Sequence, residues 1–300
     1  MTVVFMPYLA SMWDCLAKIY EIYKKKAKVY VVPIPFYGKT TTGRFDKLYY
    51  DIDNFPKGVK VTDYHKINLE KLHPDIIFIH NGYDAQNKLT SVLPEFYSNK
   101  LKQYTDHLVY VPYFTGGFVA DWLINIPGAK NADEIVVESE LQRKQYQKIL
   151  GKDKLITVHK SSKIDYIKDL STTRLRLPRE WRNKIRNKKV ILLNTGVYRY
   201  NSEYPRYLQI LESDLKKLHA KKDIVVVWRP HPLFRHAIIA LAPYQILEYN
   251  RIVEWFKTWG IYDTSADLQR AVLMSDEYYG DYSSVTRLFE VLNKPVKYRY

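Results

Sequence analysis

The chain has one cysteine, Cys15, in 300 residues. A single thiol excludes a disulfide framework and any cysteine-rich zinc site, and it fits a reducing compartment. Long apolar runs are also missing: nothing approaches the roughly eighteen residues of a membrane-spanning helix, and the N-terminus has no signal-peptide pattern. The expectation is a cytoplasmic chain, at most peripheral on the inner face of a membrane. There is no Walker loop, no G-x-G-x-x-G, no HExxH and no CxxC, which leaves P-loop hydrolysis, dinucleotide redox chemistry and zinc catalysis without support. No cofactor and no metal are expected. Acidic residues are scarce, 32 against 47 basic ones, giving a net charge of +15 and a pI near 9.5. That balance asks for an anionic partner, whether nucleic acid, a phosphorylated substrate or an acidic membrane surface.

The length suits two domains of ordinary size, and 46% hydrophobic residues can bury a core in each. Thr2–Met6 reads as a first strand, broken at Pro7. A helix follows from Met12 to about Lys25, with Trp13, Leu16, Ile19 and Ile22 or Tyr23 facing inward, then a strand over 28–33. Strand–helix–strand order predicts a parallel sheet. Phe36 to Asp63 reads as a polar excursion with little periodicity. Its Asp51-Ile52-Asp53 matches a metal-binding acidic pair in only three residues, and a solvated loop explains it better. Further strands are read at Ile76–Ile79, Leu108–Val111, Ile135–Val137 and Leu155–Val158, with a helix over Glu140–Leu150 between Ser139 and Gly151.

A basic stretch, 171–189, separates the halves. It holds Arg174, Arg176, Arg179, Arg182, Lys184, Arg186, Lys188 and Lys189 against the single acid Glu180, and reads either as a solvated linker or as a landing strip for anionic lipid or polymer. Beyond it come a strand from Lys189, the Thr195-Gly196 turn, a long helix over 203–220, a strand over 224–228, and helices near 235–241 and 244–258. A short strand at 260–262 and a helix over 266–274 complete the alternation. The class is therefore α/β. The expected domains are 1–170, the linker 171–189, and 190–300.

Two features of the second half stand out. The run IVVVWRPHPL (224–233) is an apolar strand ending in Arg229-Pro230-His231-Pro232, where two prolines force the chain out of the sheet. Some fifty residues on, Glu277–Gly280 reads as a strand that turns at Asp281-Tyr282-Ser283-Ser284 into a helix over 284–293. In a parallel sheet both turns open at the C-terminal ends of strands, the edge where ligands bind. A guanidinium, an imidazole and two serine hydroxyls there suit a phosphate or pyrophosphate.

The pair RPHP and DYSSV, followed by Lys294-Pro295-Val296, resembles the C-terminal half of the CDP-glycerol glycerophosphotransferases, the teichoic-acid primases and polymerases. The resemblance covers the last 110 residues well and the first 170 more loosely. It implies a GT-B-like fold of two Rossmann-like, doubly wound domains facing across a cleft. It implies transfer of glycerol phosphate, or a related polyol phosphate, from a CDP-activated donor to a hydroxyl acceptor in cell-wall or capsular polymer synthesis. Arg229, His231, Ser283 and Ser284 would then hold the donor, with Thr195 and Gly196 lining the same site, while Asp281 would shape the turn. Ser11, Trp13 and Asp14 would meet an anionic or lipid-linked glycan acceptor. Family members carry a His-Gly pair as proton acceptor in a loop of the first domain. In the matching place this chain has Phe114-Thr115-Gly116-Gly117, so His80, with Asp84 second, is the expected catalytic base. The C-terminal domain of such folds normally continues further, so the chain is expected to be truncated or part of a larger protein. Three alternatives stand beside this reading. They are a sugar transferase using a nucleoside-diphosphate sugar, a relative that has lost catalysis, and a polymer-binding protein using the basic charge and 27 tyrosines. No RNA-binding motif is present, so no specific nucleic acid is expected.

Overall fold

The computed structural model describes residues 1–40, 42, 44–173 and 175–299. They form two compact units, Met1–Gly38 with Phe45–Tyr166, and Lys39–Arg44 with Ile167–Tyr300.

In the first unit the chain forms β1 (Thr2–Met6), β2 (Lys28–Val31), β3 (Phe36–Lys39), β4 (Phe45–Tyr49), β5 (Ile76–Ile79), β6 (Thr90–Val92), β7 (His107–Tyr110), β8 (Glu134–Val137) and β9 (Leu155–Val158). Six of these make one parallel sheet in the order β2-β1-β5-β7-β8-β9. The centre is apolar on both faces, as a parallel sheet covered on both sides requires: Val3, Val4, Phe5 and Ile77 are fully buried. The helix Asp14–Tyr23 lays Leu16, Ile19 and Tyr20 on one face, where Trp13 and Phe78 also pack. Tyr23, not Ile22, turns inward at its end; Ile22 is exposed. The excursion after β2 is more ordered than its polarity suggests. β3, β4 and β6 form a small antiparallel sheet. Its aromatics stack in pairs, Phe36 on Tyr49 at 5.4 Å and Tyr37 on Phe45 at 5.1 Å. Cross-strand aromatic pairs of this kind hold a short sheet without strict alternation.

Two backbones touch where the loop after β5 meets the short helix Pro127–Asn131. Gly128 N–H donates to Gly82 O at 2.7 Å, and a Cβ on Gly128 would lie 2.4 Å from Gly82 Cα. Gly128 therefore has no room for a side chain, whereas a Cβ on Gly82 would first meet the end of Ile126, Cδ1 at 2.9 Å.

The second unit contains β10 (Lys189–Thr195), β11 (Ile224–Pro230), β12 (Ile261–Tyr262), β13 (Glu277–Gly280) and β14 (Val296–Tyr298), parallel in the order β12-β11-β10-β13-β14. One face packs Val190, Leu192, Val225 and Val227 on the helices Leu268–Met274 and Val285–Val291. On the other face, fully buried Trp228 meets Phe256 edge-on at 5.3 Å and Tyr249 at 6.0 Å. Four tyrosines buried here bond through their hydroxyls inside the protein. Tyr200 donates to Gln245, Tyr207 to Asp281, Tyr278 to the Asp281 carbonyl, and Tyr249 shares a bond with Tyr262. They are core residues with a polar end.

Three details differ from the sequence reading. The helix read over 203–220 begins only at Tyr207, after Pro205, and runs to His219, and a separate helix, Val197–Glu203, precedes it. β11 runs on through Arg229 and Pro230. His231 N–H bonds to Thr195 O on the β10 side, so the residue before it faces β12, which has already ended at Tyr262. A proline there removes no ladder bond. The basic stretch is no free linker: its helix Arg179–Ile185 and residues 175–178 before it pack Leu175, Leu177, Trp181 and Ile185 on the second core. Arg270 lies over the Trp181 ring at 4.6 Å. Arg176, Arg179, Arg182, Arg186, Lys188 and Lys189 remain exposed, and Arg174 lies outside the described residues.

Candidate active site

The C-terminal edge of the second unit's sheet brings together most of the residues read as donor-binding. Strands β11, β10 and β13 end side by side, with Thr195 opposite Pro230 and Asn194 opposite Gly280. Their turns are cross-bonded: His231 N–H donates to Thr195 O at 2.9 Å, and Gly196 N–H donates to Asp281 Oδ2 at 2.7 Å. Neighbouring strands lie about 4.8 Å apart, so the His231 turn and the Asp281–Ser284 turn are two strand spacings from each other across Thr195-Gly196. Gly280 allows this closeness, because a Cβ there would sit 2.5 Å from Asn194 O.

Asp281 shapes the turn. Buried itself, it accepts from Gly196 N–H, from Tyr207 Oη at 2.5 Å and from Arg299 Nη1 at 3.2 Å. The Arg299 side chain is fully buried, also bonds Asp214 at 3.0 Å, and lies over the Tyr207 ring. Burial beside Asp281 pushes the Tyr207 hydroxyl far above its ordinary range, so it stays a donor. This charged network, absent from the sequence reading, supports the floor of a cavity lined by Tyr198, Arg199, Tyr282 and Tyr298. Its signal was the penultimate Arg299, placed by a strand, β14, too short to show periodicity.

The individual side chains divide. Ser283 and Ser284 are half-buried at the start of the helix Val285–Val291, where Ser283 Oγ accepts from Val285 N–H at 3.2 Å. His231 is half-buried, and its Nδ1 accepts from Leu233 N–H at 3.1 Å. An accepting Nδ1 leaves Nε2 as the ring nitrogen that can donate. Arg229 is buried and turned into the protein: Nη1 donates to Asp263 at 2.5 Å and Nη2 to Ser265 O at 2.7 Å. The strand continues past it, which places it inside the sheet and not at the edge. Thr195 is fully buried with its hydroxyl accepting from Trp228 Nε1, so only its backbone and Gly196 reach the edge.

In the first unit the residues read as base and acceptor contacts are mostly interior. His80 ends β5 but is fully buried, its Nε2 accepting from Tyr8 N–H at 2.7 Å and Tyr113 flanking the ring. Burial pushes its pKa down to about 3, so it is neutral. Asp84 is buried under Ser98, accepting from its N–H and its hydroxyl, and burial raises its pKa. Trp13 is a core residue against Phe5, Tyr20 and Phe55. Asp14 is buried 3.6 Å from the equally buried Lys163. Ser11 alone of the three is partly open. Asp51 holds Ala10 N–H and Asn54. Among the described residues, no group of three or more metal-ligating side chains comes together, and no helix is long and apolar enough to cross a membrane.

Solved structures share this architecture over nearly the whole chain. UDP-GlcNAc 2-epimerase from Neisseria meningitidis, bound to UDP-GlcNAc, aligns with a TM-score of 0.62 at 11% identity, covering 99% of this chain and 82% of that one. MnaA of S. aureus with UDP aligns with a TM-score of 0.61 at 12% identity, covering 98% and 78%. The wall teichoic acid polymerase TagF aligns with a TM-score of 0.56 at 16% identity, covering 98% and 69%. No curated protein matches by sequence. Two parallel sheets of this topology make an α/β fold of the GT-B type. Residues 126–299 match the family model for CDP-glycerol:poly(glycerophosphate) glycerophosphotransferase, and the chain belongs to that family. It is accordingly a transferase that moves glycerol phosphate from a CDP-activated donor to a hydroxyl acceptor.

Proposed function

We propose that the β11–β10–β13 edge of the second unit holds the diphosphate of CDP-glycerol, and that the first unit carries the acceptor for wall-polymer synthesis. The observation that carries this is the cross-bonded set of turns: His231 tied to Thr195, and Gly196 tied to Asp281. His231 Nε2–H and the hydroxyls of Ser283 and Ser284 are the donors toward phosphate oxygens. Hydrogen bonds to a charged group contribute roughly 1.5–3 kcal/mol each. Arg229 serves at one remove, holding the β11 turn through Asp263. In the transfer, the acceptor oxygen attacks the phosphorus bearing glycerol, its proton passes to a base, and the bond to CMP breaks with the electron pair leaving on CMP. Donors on the phosphate oxygens stabilise the charge that develops there.

The acceptor is proposed to be an anionic or lipid-linked glycerophosphate polymer. The exposed face of the 176–189 strap would hold the chain at an acidic membrane surface, at about 1 kcal/mol per basic group near that surface. Calorimetric titration with CDP, CMP and UDP tests the donor assignment: CDP is expected to bind and UDP to bind more weakly, and a clear preference for UDP would refute it in favour of a nucleoside-diphosphate sugar. Cosedimentation with vesicles containing anionic lipid, lost at high salt, tests the membrane reading; equal recovery with neutral vesicles would reject it.

A further inference from the structure

We infer that the second unit's cavity lined by Tyr198, Arg199, Tyr282 and Tyr298 takes the pyrimidine ring of the donor, with Arg199 as the residue that tells cytosine from uracil. This rests on the reading above, in which the diphosphate of CDP-glycerol lies at the β11–β10–β13 edge. A nucleotide held there by its phosphates places its base only a ribose away, about one or two strand spacings, and stacking on an aromatic face is what holds a base without reading its sequence. Few aromatic faces are open at this edge. Toward β12, Trp228 and Tyr249 are buried, and Tyr262 packs on Trp228 at 5.1 Å with its hydroxyl bonded to Tyr249 at 2.6 Å. Tyr200, Tyr207 and Tyr278 are buried as well. Toward β14 the pattern reverses: Tyr198 is 81% exposed, Tyr282 84% and Tyr298 44%.

The topology brings these three rings together. Tyr298 lies opposite Gly280 in the β13–β14 ladder, and Tyr282 is in the turn that also carries Ser283 and Ser284. Tyr198 comes two residues after Gly196, whose N–H is held by Asp281. The Tyr282 and Tyr298 rings are 5.9 Å apart at 35°, closer than the roughly 7 Å that a ring between them would need, so they form one platform. The cavity measures about 320 Å³, within the roughly 300–1,000 Å³ of small-ligand pockets. Arg199 is half-buried at its wall and ion-paired with Glu203, one turn on in the same helix. That pairing steadies a planar fork of five N–H donors, more than one carboxylate takes. Cytosine presents two adjacent acceptors, O2 and N3, which such a fork can meet together. Uracil has the same O2 but carries a hydrogen on N3, so the fork would face a donor there. A donor set against a donor is how a site rejects a ligand of nearly the same shape.

The test is calorimetric titration of the whole chain with CDP, UDP and inorganic pyrophosphate. Tyr282→Ala and Tyr198→Ala are expected to weaken CDP and UDP alike by about 5–100-fold, with pyrophosphate within about twofold of wild type. Tyr282→Phe keeps the ring and should bind CDP within about threefold of wild type. Arg199→Gln is expected to bring the ratio of CDP to UDP affinity to within about threefold of one, through loss of CDP binding. CDP affinity within about twofold of wild type in both alanine variants, an equal loss of pyrophosphate, or an unchanged ratio in Arg199→Gln would overturn the assignment. Failure of the underlying reading looks different: wild-type chain that binds UDP better than CDP, or binds neither, refutes the donor reading before any variant is made, and the base site with it.

Discussion

Asp281→Asn tests whether the buried charge network carries the donor edge. The carboxylate accepts three bonds, from Gly196 N–H, Tyr207 Oη and Arg299 Nη1, and Asp281 is almost fully buried. Removing one partner of a buried ion pair costs about 3–5 kcal/mol because the remaining charge stays in a poor solvent. Asp214 still faces Arg299 in the variant, and asparagine keeps one accepting oxygen, so the expected loss is near the low end, about 3 kcal/mol. For a unit of this size that lowers the melting temperature by roughly 6–12 °C. Urea unfolding followed by fluorescence of Trp228, fully buried in the same unit, reads the change directly. CDP affinity should fall in parallel, since Asp281 positions Gly196. A variant stable to within about 1 kcal/mol of wild type would refute the argument that this network is desolvated and structural. Adding Arg299→Met supplies the internal check: if the penalty comes from unbalanced charge, the double variant loses less than the sum of the two single changes.

Other expectations follow from the same geometry. His231→Gln, Ser283→Ala and Ser284→Ala should each weaken CDP binding by roughly 10–100-fold in calorimetry while leaving the melting temperature nearly unchanged. Arg229→Lys keeps the charge but not the fork that spans Asp263 and Ser265, so it should reduce stability more than CDP affinity; the reverse ranking would return Arg229 to the ligand. His80 is neutral in the fold, with a pKa near 3 against about 6.5 when unfolded. Protonation therefore favours unfolding, and its contribution to stability, complete above about pH 6.5, declines by about 1.4 kcal/mol per pH unit on acidification toward pH 3. Urea titrations across that range should lose this slope in His80→Gln; an unchanged slope would show that the ring is not sealed.

Sequence periodicity located most of the architecture because the strands are apolar and uninterrupted. Ile76–Ile79, Leu155–Val158, Glu277–Gly280 and the helix Glu140–Leu150 appear as read. The β3–β4–β6 sheet was not legible, since its strands carry no apolar–polar alternation and are held by stacked aromatic pairs. Pro205 inside an otherwise helical pattern was readable and was passed over. The candidate donor edge was legible as types of residue but not as directions. RPHP marks a strand end, yet nothing in the sequence shows that β12 stops early enough to keep Arg229 and Pro230 in the ladder. The same limit hid the burial of His80 and Asp14: a polar residue at the end of an element reads the same whether a neighbouring segment covers it or not. Asp214, Asp263 and Arg299 come from three separate segments, and only the folded topology joins them to the edge.

The glycine pair at positions 82 and 128 has a consequence for how this part of the chain can vary. At Gly128 a Cβ would meet only the Gly82 main chain, so no neighbouring rotamer can shift to make space. A methyl group at Gly128 would force the segment after β5 and the start of the Pro127–Asn131 helix apart as rigid pieces. The choice of residue at position 128 is thus fixed by main chain 46 residues earlier.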